Sequence, residues 1–488
     1  MSDCELRPGL RNLRACALVA GLGLLLLQAC GDSEGPMPEN RAPVTFLSIQ
    51  GTDLDTLDYR QVMYWWGSDT DGRVTGYLVK WDGDWTPPED ATAWPADPSF
   101  VYTEATTDTF VVPTNGLFAE RSFEVYAVDD DGAVDPVGQR QRFKLKNWLP
   151  DLDWSHTVAL PKSSLPAVTF AWTPRDLDGR ETVQYYRYWL DGEDSTSAPL
   201  GTDSLIALTP ADFEGRLGER ILKVQAYDEA LAASNVISHR WTVEEASGDY
   251  LLIDNVSSNV PAFSREDGFF RAVLDSIGAG NYFVYDVETR GDFRSDKEIE
   301  PLFGLFKGVI WYSGFQNVGN DASMLRNLQT AERGLSEYLD DGGRVLIAAT
   351  NAVGDTAGLS VRFAETYFGI DDFFRLRGQN DIPLARGAGI DIGFVSTPDT
   401  LGTGVTMVAT DFLIPGLEGE GLFKLRRNLP TLAGAEPDPA DKEAWIGMMR
   451  RNGASRAAVL SMPISIANRP PGISNRYGAA LMRRIFLD

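Results

Sequence analysis

The spacing of apolar and polar positions changes character once along the chain. From residue 42 to about 246 the apolar residues come in short runs of period two. Phe123, Val125 and Ala127 alternate with Glu124, Tyr126 and Val128, the pattern of a strand with one face buried. Asp, Gly and Pro clusters separate these runs. Landmarks recur roughly one hundred residues on, at the size of a sandwich domain. WWGSDTDGRVTGYLVKWDG (Trp65–Gly83) matches WTPRDLDGRETVQYYRYWLDG (Trp172–Gly192), and FEVYAVD (Phe123–Asp129) matches LKVQAYD (Leu222–Asp228). This predicts two all-β sandwiches, 42–147 and 148–247.

From Tyr250 onward, apolar runs alternate with helical spacing. Tyr250–Val256, Tyr282–Val287, Gly308–Tyr312, Arg344–Ala349 and Ala457–Ile464 read as buried strands. Ser264 with Asp267 reads as a capping box opening a helix through Ile277. Asp321–Leu339 carries Leu325, Leu328, Leu335 and Leu339 at helical spacing, and Tyr477–Leu487 reads as a final helix. Gly342 and Gly343 supply the positive φ that ends a helix cheaply. Strand–helix alternation predicts a parallel sheet between helical layers over 248–488, with residues 378–404 as a Gly-rich excursion.

Composition narrows the chemistry. The 488-residue chain carries a formal charge of −26, which argues against nucleic acid as a partner. Its three cysteines are Cys4, Cys16 and Cys30, so everything after residue 30 lacks disulfides, thiolate metal sites and thiol nucleophiles. The two histidines, His156 and His239, are isolated and read as structural.

Arg7, Arg11 and Arg14 precede the apolar run Ala15–Leu27, followed by Leu27-Gln28-Ala29-Cys30. That is a charged region, a short apolar core and small residues before a cut. The run is too short for a bilayer, which needs about 20 residues. Leu-Gln-Ala-Cys resembles the lipobox of bacterial lipoproteins, which implies a 1–29 signal peptide and lipidation of Cys30. A polar 30–41 linker follows. The chain is then exported and lipid-anchored to the cell envelope, on the periplasmic or cell-surface side.

The two β regions resemble fibronectin type III and related Ig-like modules of bacterial surface proteins, with Trp66 and Trp172 at the family's core-tryptophan position. Asp69, Asp71, Asp129 and Asp131 in the first module would share one end of the sandwich, as would Asp176, Asp178 and Asp228 in the second. Two readings stay open there: a calcium site, because crowded carboxylates call for a hard cation, or Asp/Gly turns in solvated loops. Trp81, Trp85 and Trp94 could form a platform for sugar rings, or simply be core.

Residues 248–488 resemble the class I glutamine amidotransferase-like superfamily, including ThuA-like domains, through YLLIDNV, GVIWYSG, LSEYLDDGGRVLIAATN and AVLSMPI. The resemblance implies a flavodoxin-like three-layer α/β fold. Catalytic members place a cysteine in the turn after the Gly-Gly strand, with a histidine and an acid later. Here that turn holds Thr350, Asn351 and Ala352, and residues 248–488 contain neither Cys nor His. A threonine hydroxyl needs an adjacent base to act as a nucleophile. Asp254, Asn255, Ser313, Gly314, Thr350 and Asn351 are expected to line the crevice at the strands' carboxyl ends. The resulting expectation is a multidomain, non-catalytic envelope protein that binds or scaffolds. It would need no cofactor unless calcium fills the Asp loops, and its partner would be an envelope glycan or protein. The alternative is a divergent hydrolase acting on such a glycan or peptide.

Overall fold

The computed structural model describes residues 39–49, 57–83, 85–112, 118–192, 200–258, 266–313, 322–354, 357–377, 389–393, 400–402, 409–425, 445–462, 465 and 472–487. Cys30, Gly314 and Ser264 lie outside them, as does most of 378–404. The chain forms two compact units, Met1–Asn147 and Trp148–Asp488.

The first unit is a β-sandwich. One sheet orders Val44–Ile49, Arg60–Ser68 and Thr107–Val111, all antiparallel. The other is built on Gln139–Lys146, Phe118–Asp129, Val74–Trp81 and Val101–Thr103. Inward positions of both close on Met63, Trp65, Val79, Phe123, Val125 and Leu145. The core tryptophan is Trp65, 1 % exposed, and not Trp66, which is 48 % exposed. Adjacent residues on a strand face opposite ways, and the buried set Gln61, Met63 and Trp65 fixes which one turns in.

The second unit begins with another sandwich. Asp151–Trp154, Val168–Arg175 and Leu205–Leu208 face Ser163–Ser164, Ile237–Val243, Gly218–Asp228 and Val183–Leu190 around Phe170, Trp172, Leu222 and Trp241. A long sheet follows. Its neighbouring parallel strands run in the order Tyr282–Asp286, Tyr250–Asp254, Gly308–Tyr312, Arg344–Ala348 and Ser455–Leu460. The sheet then continues through antiparallel strands, the first being Trp445–Asn452, which forms a hairpin with Ser455–Leu460.

Both faces of the parallel part are covered. Leu252, Ile310, Leu346 and Ala458 pack under the helix Asp267–Ser276 and the final helix Ile473–Met482 with its π-helical extension Arg483–Leu487. Leu251, Val309, Ile347 and Val459 pack under Ile299–Phe303 and the long helix Ala322–Asp340. The long helix presents Met324, Asn327, Leu328, Ala331, Leu335, Tyr338 and Leu339 inward, an unbroken i, i+3, i+4 stripe. Leu325 is only partly buried. The Gly-Gly stop has two causes where one was expected. Gly342 sits at φ 91°, but Gly343 is needed because a Cβ there would meet the Tyr338 ring at 2.4 Å.

The second sandwich is fused to this sheet. Leu165 and Ala167 belong to the same apolar cluster as Phe303 and Trp311. Glu298 is buried between the two: its carboxylate accepts the amides of Thr169 (2.8 Å) and Arg294 (2.6 Å). Thr169 and Ser295 hydroxyls meet at 2.7 Å, and Arg290 pairs with Glu244 at 2.6 Å.

Candidate functional site

The carboxyl ends of the parallel strands are joined one residue past the regular ladder. Asn255 N donates to Tyr312 O, Ser313 N to Ala348 O, and Ala349 N to Leu460 O. Strand order reverses between Tyr250–Asp254 and Gly308–Tyr312, since the chain places its second strand on one side of the first and its third on the other. Such a switch point opens a crevice in open parallel sheets.

Three separate polar groups stand along this edge. The first lies under the long helix. Asn255 Oδ1 accepts from Asn327 Nδ2 (3.0 Å) and Trp311 Nε1 (3.3 Å), and Asn255 Nδ2 donates to Ser323 Oγ (3.2 Å). Asp292 closes the set, accepting from Ser323 Oγ (2.6 Å) and Asn327 Nδ2 (2.9 Å). Asn255 and Asn327 are buried. Asn255 therefore locks a helix to the sheet instead of lining an open crevice. The one polar residue in the long helix's apolar stripe, Asn327, was the sequence signal for this network.

The second group lies on the opposite face. Asp254 ends its strand in register with Asp286 and Tyr312. Burial, then the carboxylates of Asp267 and Asp286, push its carboxyl above the usual range. The Tyr312 hydroxyl beside it is buried and pushed upward by burial and by Asp254 and Asp267. Glu266, the residue before helix Asp267–Ser276, is 1 % exposed and accepts from Ser465 Oγ at 3.0 Å. Burial raises its carboxyl to about 8, so it is largely protonated at neutral pH. Sequence reading passed over Glu266, because an acid beside a helix start reads as an exposed cap.

The third group is the turn after Arg344–Ala348. Thr350 and Asn351 are buried, and neither Thr350 Oγ1 nor Asn351 Oδ1 has a hydrogen-bond partner among the described residues. Asn351 stands at φ 63°, in the left-handed region that costs a side-chain-bearing residue energy. The turn is tied back by Leu359 N to Ala352 O (2.9 Å), and Glu332 accepts both the amide and the hydroxyl of Ser360 at 2.7 Å. The Gly308–Tyr312 strand separates this turn from Asp254, a gap of about 9–10 Å at normal strand spacing. Asp254 cannot hydrogen-bond to Thr350 across it. Ser313 is buried with its strand neighbours, on the face opposite Tyr312.

The Asp loops of the sandwiches use their carboxylates on backbone amides. Asp129 accepts from Asn40 Nδ2 (2.8 Å), Ala133 N (2.8 Å) and Asp131 N (3.0 Å). Burial works to raise its carboxyl, but these bonds outweigh burial and hold it low. Asp69 caps Asp71 N, and Asp71 accepts from Arg41 N. In the second module Asp176 accepts from Asp178 N, Asp178 from Trp148 N, and Asp228 from Ala232 N. Among the described residues no three metal-ligating side chains converge. Each of these carboxylates except that of Asp131 accepts a backbone amide, while Asp69 Oδ2 is buried without a partner among the described residues. The tryptophan platform dissolves: Trp81 is buried against Phe110, Phe123 and Phe143, Trp85 packs on Phe110, and Trp94 stacks on Tyr102. Among the described residues no helix is long and apolar enough to cross a membrane.

No family model matches the sequence, and no curated protein matches it either. Solved structures that resemble parts of it include β modules. The fibronectin(III)-like modules of Clostridium thermocellum CbhA align at 14 % identity and TM-score 0.19, over 41 % of this chain and 95 % of that one. The PKD1 domain of the Vibrio cholerae metalloprotease PrtV aligns at 17 % and 0.15, over 22 % and 99 %. A tetra-tandem repeat from the extending region of a large adhesion protein aligns at 16 % and 0.20, over 42 % and 50 %. At such TM-scores the case for Ig-like β-sandwich modules rests on this chain's own sheets and cores.

Proposed function

We propose that this is an exported, lipid-anchored envelope protein whose last domain binds a polar ligand without transforming it. In this reading Cys30 carries the lipid and the two sandwiches act as spacers. The domain from 248 onward is a flavodoxin-like, amidotransferase-like fold, a reading supported by the parallel order second, first, third, fourth strand between two helical layers. One observation carries the binding role: the turn at Thr350-Asn351 keeps a strained backbone and two buried oxygens without partners among the described residues, in a domain with no thiol or imidazole. Strain of that kind persists where surrounding structure holds it for use.

A divergent hydrolase of an envelope glycan or peptide is the second reading, favoured by Glu266. A carboxyl held at about 8 is a proton donor at neutral pH. One experiment weighs both. The full chain is incubated with muropeptides, and hydrogen exchange is followed alongside mass spectrometry of the ligand. Slowed exchange at 350–359 with intact muropeptide supports binding. Cleavage that Glu266→Gln abolishes supports the hydrolase. Neither effect sinks both. Separately, Cys30→Ser in cells should abolish palmitate labelling; undiminished labelling would refute the anchor.

A further inference from the structure

The outward face of the first unit's three-stranded sheet is aromatic and nearly uncharged. Val44, Phe46, Tyr64 and Trp66 stand there at 52, 40, 45 and 48 % exposure. Phe46 and Trp66 are register partners on neighbouring antiparallel strands, with rings 5.5 Å apart and 13° from parallel. Tyr64 follows two residues along, about 7 Å further on. Arg60 is the only charged residue at the outward positions of these three strands, in a chain of net charge −26. From this surface we infer a docking site for a neutral, β-linked polysaccharide.

Size separates the occupants. A large side chain presents about 150–250 Å2, so four at roughly half exposure offer on the order of 350 Å2. That is about half of the ~800 Å2 a stable protein partner covers on each side. It is also the size of patch that is often functional on a monomer. A second copy of this chain is therefore too large an occupant, whereas two or three sugar rings fit. The chemistry agrees. The C–H bonds on the flat face of a β-linked pyranose carry partial positive charge, and aromatic faces carry the negative lobe of the ring quadrupole. The row is open, and its residues lie on two adjacent strands, which suits an extended ribbon. Carboxylates are excluded from the face, and the chain's negative charge repels anionic polymers. This site is distinct from the Thr350-Asn351 turn, and its test is independent of that reading.

The full chain is pelleted with insoluble cellulose and with insoluble chitin, and the bound fraction is measured. Retention is expected on at least one polymer, with Trp66→Ala and Phe46→Ala each weakening it tenfold or more. Trp66→Phe should retain most of it. Leu177→Ala, an exposed apolar change in the second sandwich, should change nothing. Melting curves check folding, and Tyr64→Ser serves as a second probe if Trp66→Ala unfolds. Three results overturn the inference: no retention on either polymer, retention that no variant on this face weakens, or a dimer in sedimentation that Trp66→Ala dissolves.

Discussion

Replacing Glu266 by Gln should stabilise the second unit by an amount that grows as pH rises from about 4.5 to about 8. The carboxyl is held at about 8 against an ordinary 4.5, with burial as the first cause. Because the folded form keeps its proton longer than the unfolded form, stability is fully present below pH 4.5 and is lost as pH rises through 8. The loss runs at about 1.4 kcal/mol per pH unit and reaches about 5 kcal/mol above pH 8. Gln matches the shape of the protonated acid and can still accept from Ser465 Oγ. The two proteins should therefore melt alike at pH 5, to within about 1 kcal/mol. At pH 9 the variant should be more stable by several kcal/mol. Urea or thermal melts of the full chain across pH 5–9, read as the difference between the two proteins, cancel every other titrating group, Glu298 included. Parallel profiles would refute the reasoning and place Glu266 in contact with water.

Glu298→Gln turns an amide NH2 toward one of two backbone N–H donors. It should cost about 2–3 kcal/mol and speed hydrogen exchange on both sides of the Thr169–Glu298 junction; exchange unchanged on the sandwich side would contradict the fused arrangement. Trp65→Ala should cost about 3–5 kcal/mol in the first unit, and Trp66→Ala only about 1, its stacking on Phe46 included, in paired melts. Equal costs would reverse the assignment of inward and outward faces. Asn351→Val, which forces a β-branched residue to φ 63°, should destabilise the second unit by about 2 kcal/mol, while Asn351→Gly is tolerated. A harmless Val would mean the turn has no special backbone.

What the sequence disclosed followed from strong local periodicity. Leu335, Tyr338 and Leu339 are buried as their spacing predicts, and Arg344–Ala348 is the strand expected after the Gly-Gly stop. Features set by non-local pairing stayed hidden. Trp65 and Trp66 differ only in strand register, which neighbouring strands decide. The hairpin strand Trp445–Asn452 pairs with Ser455–Leu460 but comes after a long stretch without clear period. Leu165 and Ala167 look like loop residues until the neighbouring domain covers them. Among the site residues, Asp254, Thr350 and Asn351 were visible as strand ends. Asn327 was marked by its polar place in the apolar stripe of the long helix, whereas Glu266, Asp292 and Tyr312 matter through burial and partners distant in sequence, which no spacing announces.

The buried Glu298 junction decides where this protein can be cut. A break at residue 247, where the periodicity changes, would strip Leu165 and Ala167 from the apolar cluster holding Trp311. It would also leave the Glu298 carboxylate facing water on one fragment and the Thr169 amide bare on the other. Both pieces would be sticky and prone to aggregate on expression. A break at Asn147–Trp148 follows the boundary between the compact units and severs neither. For anyone dissecting the molecule, the smallest intact piece carrying the Thr350-Asn351 turn begins at Trp148 and brings its sandwich with it.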